Sequence, residues 1–369
     1  MTQVPHVTSA ERIGVLDELR FLAALAVALF HFGFRGKTLG FTEMNLPDWI
    51  SVLKYGYLGV QMFFVISGFV IAYSAEGRTP MQFAIARFAR IYPMFVLCMT
   101  LTFLIVAIYG APQINATVAQ WAANLLLQPG LLGQEIMDGS YWSISYEVVF
   151  YGWVFVLIKL GGFKPRLYPA FVVGWLLVST VDRAFFANPL MRHLALTDES
   201  GFFCIGLVFY AAFREGYTLR NFVLLVLSVA VALYQSLEMT QWNRENYGVD
   251  YSDLVVVCSC LAIVAIVALA IKRQRSLLPG GMMLALGGIS YPFYLLHQHI
   301  GYVIFNKVGA TASPEAVVTM TVLLLIGISY LLWRFFDEPS RRLTRSVLTR
   351  LFENGFYLPR PKKGISGAE

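Results

Sequence analysis

The residues best suited to chemistry lie on one apolar stretch near the start of the chain, from Gly14 to Gly36. This stretch carries Arg20 in its first turns and His31 near its far end. An Arg or Lys at the centre of a membrane helix costs roughly 2.5 to 3.5 kcal/mol on insertion scales, so such residues normally have a partner or face a water-filled cavity. Eleven positions of about 100° each return to one face, so one helix is expected to present a cation and an imidazole about 16 Å apart.

Further ionisable side chains occur in other apolar segments. Arg87 and Arg90 are three positions apart, so they share a helix face. Glu147 is expected at about the depth of His31, and His297 lies in the outer part of a late apolar segment. The pattern therefore predicts arginines in the inner half of a membrane bundle, and imidazoles with a carboxylate in the outer half.

Each group suits one part of a transfer reaction. Arginine binds phosphate through two parallel hydrogen bonds, so the inner group favours a phosphorylated donor from the cytosol. A histidine oriented by a carboxylate suits removal of a proton from a hydroxyl group. Together they indicate a transferase that moves a group from a cytosolic carrier to an acceptor at or beyond the membrane.

Simpler interpretations exist for the same residues. Arg87 and Arg90 are also what the positive-inside rule places at a cytoplasmic helix end. His31 and Glu147 would also fit a structural pair inside the membrane. His297, taken alone, fits a hydrogen-bonded packing histidine.

The composition indicates a membrane protein with several spans. Of 369 residues, 57% are hydrophobic and 14% are charged, against about 25% charged residues in soluble domains. The net charge of +6 is therefore attributed to basic residues that orient the protein in the membrane, and no nucleic-acid partner is expected. The four cysteines lie in apolar runs without the spacing of a zinc site, so they are predicted to be packing residues, and no metal site is expected.

Windows of about 20 apolar residues predict an all-α bundle with about ten transmembrane helices. Most Lys and Arg residues fall in alternate loops, which places both termini in the cytoplasm. Two of the segments are short and could be re-entrant, which would reduce the number of spans to eight. The predicted spans lie near residues 15–34, 56–75, 88–110, 143–160, 167–182, 200–213, 221–237, 253–271, 282–305 and 316–335.

The chain is expected to form one transmembrane domain over residues 1–345. Residues 346–369 are predicted to be a basic cytoplasmic tail that is partly disordered. Residues 1–13 are polar and unlike a cleavable signal peptide, so the first helix is expected to remain in the mature protein.

Six segments, taken in order over nearly the whole chain, resemble the membrane-bound acyltransferase family 3. They include an Arg-x10-His spacing, an Arg-x-x-Arg pair, a Trp-Ser-x-x-x-Glu element and a late Tyr-Leu-x-His element. The segments are LDELRFLAALAVALFHF (16–32), GYLGVQMFFVISGFVIA (56–72), RFARIYPMF (87–95), YWSISYEVVFYGW (141–153), ISYPFYLLHQHI (289–300) and DEPSRRL (337–343). Gln61 departs from the pattern, because relatives often have Asp there.

The resemblance implies an O-acyltransferase of the bacterial inner membrane. Such enzymes move acetyl or related acyl groups from coenzyme A thioesters to sugar hydroxyls of surface glycans. By the same resemblance, His31 and Glu147 would be catalytic, and Arg20, Arg87 and Arg90 would bind acyl-CoA. The substrate-binding residues would be Asp17, Trp142, Ser143 and His297.

Two mechanisms and a second class of function stay open at this stage. His31 could act as a general base or carry the acyl group itself. Partners would be acyl-CoA, a carbohydrate or glycolipid acceptor, membrane lipids and separate glycan-assembly proteins. Alternatively, the buried charges would form the path of a transporter or flippase for a glycolipid or small polar solute.

Overall fold

A computed structural model describes residues 13–44 and 48–354, and in these ranges every regular element is helical. The α-helices of this part are α1 (Gly14–Phe30), α2 (Gly36–Thr38), α3 (Gly59–Ala75), α4 (Pro80–Tyr109), α5 (Val118–Asn124), α6 (Trp142–Lys159), α7 (Tyr168–Val181), α8 (Pro189–Leu194), α9 (Ser200–Glu215), α10 (Leu219–Tyr247), α11 (Asp253–Arg273), α12 (Gly280–Val308), α13 (Pro314–Leu332) and α14 (Glu338–Thr349). The prediction of an all-α fold is confirmed for these residues.

Each of the ten predicted spans coincides with one of these helices. In the described part, six helical segments are long and apolar enough to cross a membrane, and they include α3, α4, α7, α10, α11 and α13. The others (α1, α6, α9 and α12) are shorter or more polar. The number of ten spans and the cytoplasmic termini therefore stay predictions. The predicted tail is helical from residue 346 to 354, and its remainder lies outside the described residues.

The outward faces of the long helices are apolar. Leu104 and Ile108 of α4 are exposed, as are Leu323 and Leu324 of α13. A soluble monomer rarely exposes continuous apolar surface on this scale. Lipid is the environment that such faces fit.

Helices α1, α3, α9 and α12 form the interior of the bundle. Where α3 crosses α9, a Cβ at Gly68 would lie 2.3 Å from the Phe203 carbonyl oxygen, and one at Gly206 would lie 2.2 Å from the Val65 carbonyl oxygen. Only glycine lets two backbones approach so closely, as small residues do in membrane bundles. Small residues therefore bring α3 and α9 together at this crossing.

A buried carboxylate fixes the start of α1. Glu18 accepts hydrogen bonds from the backbone N–H groups of Leu277 and Leu278, both at 3.1 Å, and from the hydroxyl of Ser276. These residues precede α12, so Glu18 ties α1 to the start of α12. The two helices then run side by side, which sets the depth of every polar residue on α1 relative to those on α12.

All four cysteines are free thiols. Cys98, Cys204 and Cys260 are buried in apolar surroundings, as expected of packing residues, whereas Cys258 is exposed on α11. The exposed thiol lies on one of the six apolar helical segments, so it faces outward from the bundle.

Candidate active site

Three arginines converge on a cavity between α1, α3, α4, α6 and α12. Arg20 comes from α1, and Arg87 and Arg90 come from one face of α4. The sequence predicted this grouping. We call this space the arginine cavity, and its other polar lining residues include Ser67, Ser143, Glu147, Tyr151 and Tyr291.

The guanidinium groups in this cavity are largely unneutralised. Arg20 Nη1 lies 3.5 Å from Asp17 Oδ1. Arg87 Nε is buried without a hydrogen-bond partner, and neither Arg87 nor Arg90 has a carboxylate within 4 Å in the described part of the chain. Unpaired guanidinium groups in a partly enclosed space are a favourable place for an anionic ligand.

Glu147 lies in the arginine cavity rather than beside His31, so its expected position is wrong. Its Oε1 accepts hydrogen bonds from Ser67 Oγ at 2.7 Å and from Tyr151 OH at 2.6 Å. The cause is helix geometry, because one step along a helix turns the side chain by about 100°. Ser143, Glu147 and Tyr151 follow at intervals of four and share the face of α6 toward the arginines.

The neighbouring face of α6 borders a second cavity. Trp142 and Tyr146 project into it from α6, while His31 and Arg35 reach it from the end of α1. We call it the histidine cavity. Its further polar or aromatic lining includes Tyr57, Gln61, Arg183, Arg192, Asp198, Glu199, Gln235, Glu238, Trp242, Asn243, Tyr247 and Tyr294.

His31 begins a π-helical turn, His31–Arg35, that continues α1. Such turns occur often at functional sites, because the extra residue re-aims the side chains. His31 Nδ1 lies 3.4 Å from Tyr302 OH, and the His31 ring centroid lies 5.1 Å from that of His297. Nε2 of His31 makes no hydrogen bond to a described residue, so this atom is available to a ligand in the cavity.

Two predicted substrate-binding residues do not line either cavity as the described residues define it. His297 is completely buried, and its Nδ1 donates to the Tyr294 carbonyl oxygen at 2.7 Å, so it stands behind His31. Asp17 is 4% exposed and lies beside Arg20. Each lies one layer behind a residue that faces a cavity, and direct substrate contact by either stays a prediction.

The two cavities meet at Tyr294 of α12, which lines both. Its hydroxyl lies 2.7 Å from Ser143 Oγ and donates to the Ser140 carbonyl oxygen at 3.1 Å. Beside it, the rings of Phe64 and Trp142 are in edge contact, with centroids 5.9 Å apart. Of the remaining predicted substrate-binding residues, Ser143 thus lies at this boundary and Trp142 on the histidine side.

An ion-pair network borders the histidine cavity. Arg183 pairs with Asp198 at 2.9 Å and with Glu238 at 2.7 Å, and Arg192 pairs with Asp198 at 2.9 Å. Next to it, Glu199 is 2% exposed and its Oε2 has no hydrogen-bond partner among the described residues. Burial, with a smaller effect of the adjacent Asp198, raises the pKa of the Glu199 carboxyl well above its usual value.

Sequence reasoning missed several residues of the site. Ser67 lies in the family-like segment 56–72 and Tyr294 in the family-like segment 289–300, but neither was predicted to be a site residue. Glu199 lies in none of these segments. Asp138 is completely buried and accepts from the backbone N–H of His299 at 2.8 Å, which fixes the segment around His297. For Asp138 the only sequence signal is a carboxylate just before the Trp-Ser-x-x-x-Glu element.

The comparisons with known proteins agree with this architecture. The family model of acyltransferase family 3, described as "Acyltransferase domain", matches residues 13–334. The chain is 24% identical over 373 residues to "Acyltransferase MdmB" of Streptomyces mycarofaciens, a match that covers 90% of this chain and 92% of that protein. It is 25% identical over 171 residues to "Putative acetyltransferase ORF330" of Acidianus two-tailed virus, covering 46% of this chain and 47% of that protein. No solved structure matches the chain. Because the family model spans most of the sequence and both cavities, this protein belongs to acyltransferase family 3.

Proposed function

We propose that this protein is a membrane O-acyltransferase that moves an acyl group, in the first place acetyl, from cytosolic acyl-CoA to a hydroxyl group. The observation that carries the proposal is the placement of Arg20 and His31 on one helix, each lining one of two cavities that meet at Tyr294. This order fits a donor whose anionic end lies in the arginine cavity and whose reactive end reaches the histidine cavity. The family match supports the reaction class.

In this proposal the arginine cavity receives coenzyme A. Phosphate oxygens accept hydrogen bonds from Arg20, Arg87 and Arg90, and the buried, unpartnered Nε of Arg87 gives one donor that needs an acceptor. The uncharged pantetheine arm then extends toward Tyr294. The thioester is the part that passes the aromatic boundary and reaches His31.

The acceptor occupies the histidine cavity. Aromatic faces of Trp142, Tyr146 and Trp242 combine there with the amides of Gln235 and Asn243. Such a lining offers both apolar surface and hydrogen bonds to hydroxyl groups. We propose a carbohydrate or glycolipid, such as a precursor of a surface or exopolysaccharide, as the acceptor class.

The transfer needs one base and one leaving group. The acceptor oxygen bonds to the thioester carbonyl carbon while His31 takes its proton, and the carbon–sulfur bond breaks to release the coenzyme A thiolate, which then takes up a proton. Alternatively, a ring nitrogen of His31 first bonds to the thioester carbonyl carbon, and the carbon–sulfur bond breaks to release the thiolate. The acceptor oxygen then takes the acyl group as the carbon–nitrogen bond breaks, and its proton passes to the freed imidazole. Detection of acylated His31 by mass spectrometry, after incubation with acetyl-CoA alone, separates the second route from the first.

The proposed location is the bacterial inner membrane, with both termini in the cytoplasm, where acyl-CoA is made. The apolar helices and the family match support a membrane location. Membrane lipids surround the bundle, and glycan-assembly proteins would supply or collect the glycan. No metal takes part in this proposal.

Labelled acetyl-CoA tests the proposal directly. Purified protein is incubated with labelled acetyl-CoA and the glycolipid fraction of its own membranes, and label in that fraction is measured. His31→Ala should lower the transfer rate by about 10²- to 10⁴-fold, since this is the usual contribution of a general base. Thr311→Ala is the control, because Thr311 is exposed beyond the end of α12 and lies outside the cavity lining. Transfer that persists in the His31 variant would contradict the proposal.

The transporter hypothesis makes a different prediction for the same protein. In proteoliposomes, a transporter would move solute without consumption of acetyl-CoA. An acyltransferase would release free coenzyme A in proportion to ester formed. The family match favours the second outcome.

A further inference from the structure

A third cavity opens beside the arginine cavity, at the other side of Arg90 and Tyr291. Those two residues line both spaces, so the cavities are neighbours along α12. The remaining wall comes from Gly288 and Pro292 of α12 and from the segment that joins α13 to α14. We call this space the Trp333 pocket.

The Trp333 pocket carries an unbalanced positive charge. Its acidic lining residues already have partners, since Asp337 pairs with Arg341 at 3.2 Å and Glu338 pairs with Arg342 at 2.7 Å. Arg90 and Arg334 line the pocket and have no ion-pair partner among the described residues. Two such guanidinium groups at one opening can bind a phosphate or diphosphate group.

An aromatic ring lies beside these cations. Trp333 begins a π-helical turn, Trp333–Asp337, which interrupts the α-helical register between α13 and α14. The indole packs against α12 so closely that a Cβ at Gly288 would lie 2.0 Å from Trp333 Nε1. Glycine at position 288 is therefore what allows the ring to sit at the pocket wall.

An aromatic face next to guanidinium groups matches the two parts of a nucleotide. Nucleobases stack on aromatic rings, and phosphates bind to arginine. We propose that the Trp333 pocket binds the nucleoside-phosphate end of the acyl donor, with Trp333 against the base and Arg90 and Arg334 on the phosphates. This inference rests on the proposed function, because it assumes a coenzyme A thioester in the arginine cavity.

The order of the cavities leads to the same assignment of the nucleotide end to the Trp333 pocket. A donor with its thioester near Tyr294 runs through the arginine cavity, and its far end leaves that cavity past Arg90 and Tyr291. Tyr291 OH donates to the Ile91 carbonyl oxygen at 3.2 Å, which holds α12 against α4 at this point. The far end of coenzyme A is its nucleotide, so the nucleotide is the part that reaches the Trp333 pocket.

The test compares two donors that differ in the nucleotide alone. Dissociation constants of acetyl-CoA and S-acetyl-pantetheine are measured on purified protein in zwitterionic detergent. Arg334→Gln should weaken acetyl-CoA binding about tenfold, the usual effect of losing one charge-assisted hydrogen bond. It should leave S-acetyl-pantetheine unchanged, because this donor lacks the nucleotide. Arg334→Lys should fall between the two proteins.

Two further variants keep the result interpretable. Gly288→Ala should displace Trp333 and weaken acetyl-CoA binding selectively, and Trp333→Phe should weaken it less. Arg273→Gln is the matched control, since Arg273 at the end of α11 is an exposed arginine outside the pocket lining. Equal elution profiles and unfolding temperatures of all variants show that they fold.

The possible outcomes separate the two proposals. If wild-type protein transfers acetyl groups but Arg334→Gln affects both donors equally or neither, the nucleotide site is overturned and the acyltransferase stands. If wild-type protein binds no acetyl-CoA at all, the proposed function itself fails. An anionic lipid headgroup shares the phosphate chemistry. If added phosphatidylglycerol binds wild type but not Arg334→Gln, while acetyl-CoA binding is equal in both, the pocket is a lipid site and the inference is overturned.

Discussion

Glu147 and Glu199 border different cavities, and their surroundings differ. Glu147 accepts hydrogen bonds from Ser67 and Tyr151 and shares its cavity with three arginines. Glu199 Oε2 has no hydrogen-bond partner among the described residues, and Asp198 lies next to it in the chain. A buried carboxyl group in such surroundings favours its neutral form. In that neutral form Glu199 can donate a hydrogen bond, which a carboxylate cannot.

The raised pKa of Glu199 predicts a pH-dependent loss of stability. In the unfolded chain a glutamate releases its proton near pH 4.3, whereas burial raises the pKa of Glu199 in the folded protein. Between these two values the folded state binds more protons, so stability falls as pH rises. Glu199→Gln keeps the neutral shape but does not titrate. Its unfolding temperature should therefore decrease less than that of wild type between about pH 5 and about pH 8.

The comparison needs a control variant that loses a different carboxylate and keeps Glu199. Glu43→Gln removes a carboxylate from an exposed residue, and its unfolding temperature should follow the wild-type curve. Differential scanning fluorimetry in detergent measures all three proteins. Parallel curves for wild type and Glu199→Gln would show that Glu199 holds no proton more tightly in the folded state.

At the scale of helices, α6 and α1 divide the site. The face of α6 with Ser143 and Glu147 borders the arginines, and the face with Trp142 and Tyr146 borders the histidine cavity. Helix α1 reaches both cavities at different heights, through Arg20 and His31. Their positions depend on the crossing of α3 and α9, because α3 packs against both α1 and α6.

Two glycine substitutions are expected to have opposite effects on stability. One lies at the α3–α9 crossing and the other lies on α7. In Gly206→Ala the new methyl group would lie 2.2 Å from the Val65 carbonyl oxygen, so the helices must separate. Overpacking of this kind costs about 1–3 kcal/mol. In Gly174→Ala, on α7, no atom lies within 4 Å of the added methyl, and alanine favours a helix by roughly 0.5–1 kcal/mol over glycine.

Unfolding temperatures in detergent measure both variants. Gly206→Ala should unfold at a lower temperature than wild type, and Gly174→Ala should unfold at the same or a higher temperature. If Gly206→Ala were as stable as wild type, the close backbone contact between α3 and α9 would not exist in solution.

At the scale of the whole molecule, the order of cavities needs a defined orientation in the membrane. The prediction of ten spans places the loop with α8 outside and the loop between α9 and α10 inside. If α7 and α9 were re-entrant, both loops would lie on the same side. Helix α9 is buried almost throughout, so its hydropathy alone does not decide between these cases.

Cysteine labelling decides the topology. In a version with the four native cysteines replaced by alanine, Leu190→Cys and Tyr217→Cys each add one exposed thiol. A membrane-impermeant maleimide added to intact spheroplasts should label position 190 and leave position 217 unlabelled until the membrane is opened. If position 190, like position 217, stayed unlabelled until the membrane was opened, the result would contradict ten spans and favour eight.

The sequence by itself determined the relations that depend on one helix. Hydropathy predicted ten apolar segments, and each coincides with a helix in the described part of the chain, because a backbone in lipid must satisfy its hydrogen bonds within a helix of a certain length. Helical periodicity predicted that Arg87 and Arg90 share a face, and it placed Arg20 and His31 on the same side of α1. These relations are local, so spacing along the chain is sufficient to derive them.

Only the tertiary structure decided which residues meet across helices. Glu147 faces the arginines instead of His31, because the rotation of α6 against α1 and α3 depends on packing that no local spacing records. His297 lies behind His31, Tyr294 separates the cavities, and Glu199 completes the second cavity from a distant segment. Lipid tails are as apolar as the helix surfaces, so the hydrophobic effect does not drive helices together in a membrane. Close contacts between small residues, such as Gly68 with Gly206, therefore determine which helices pair and thereby shape the site.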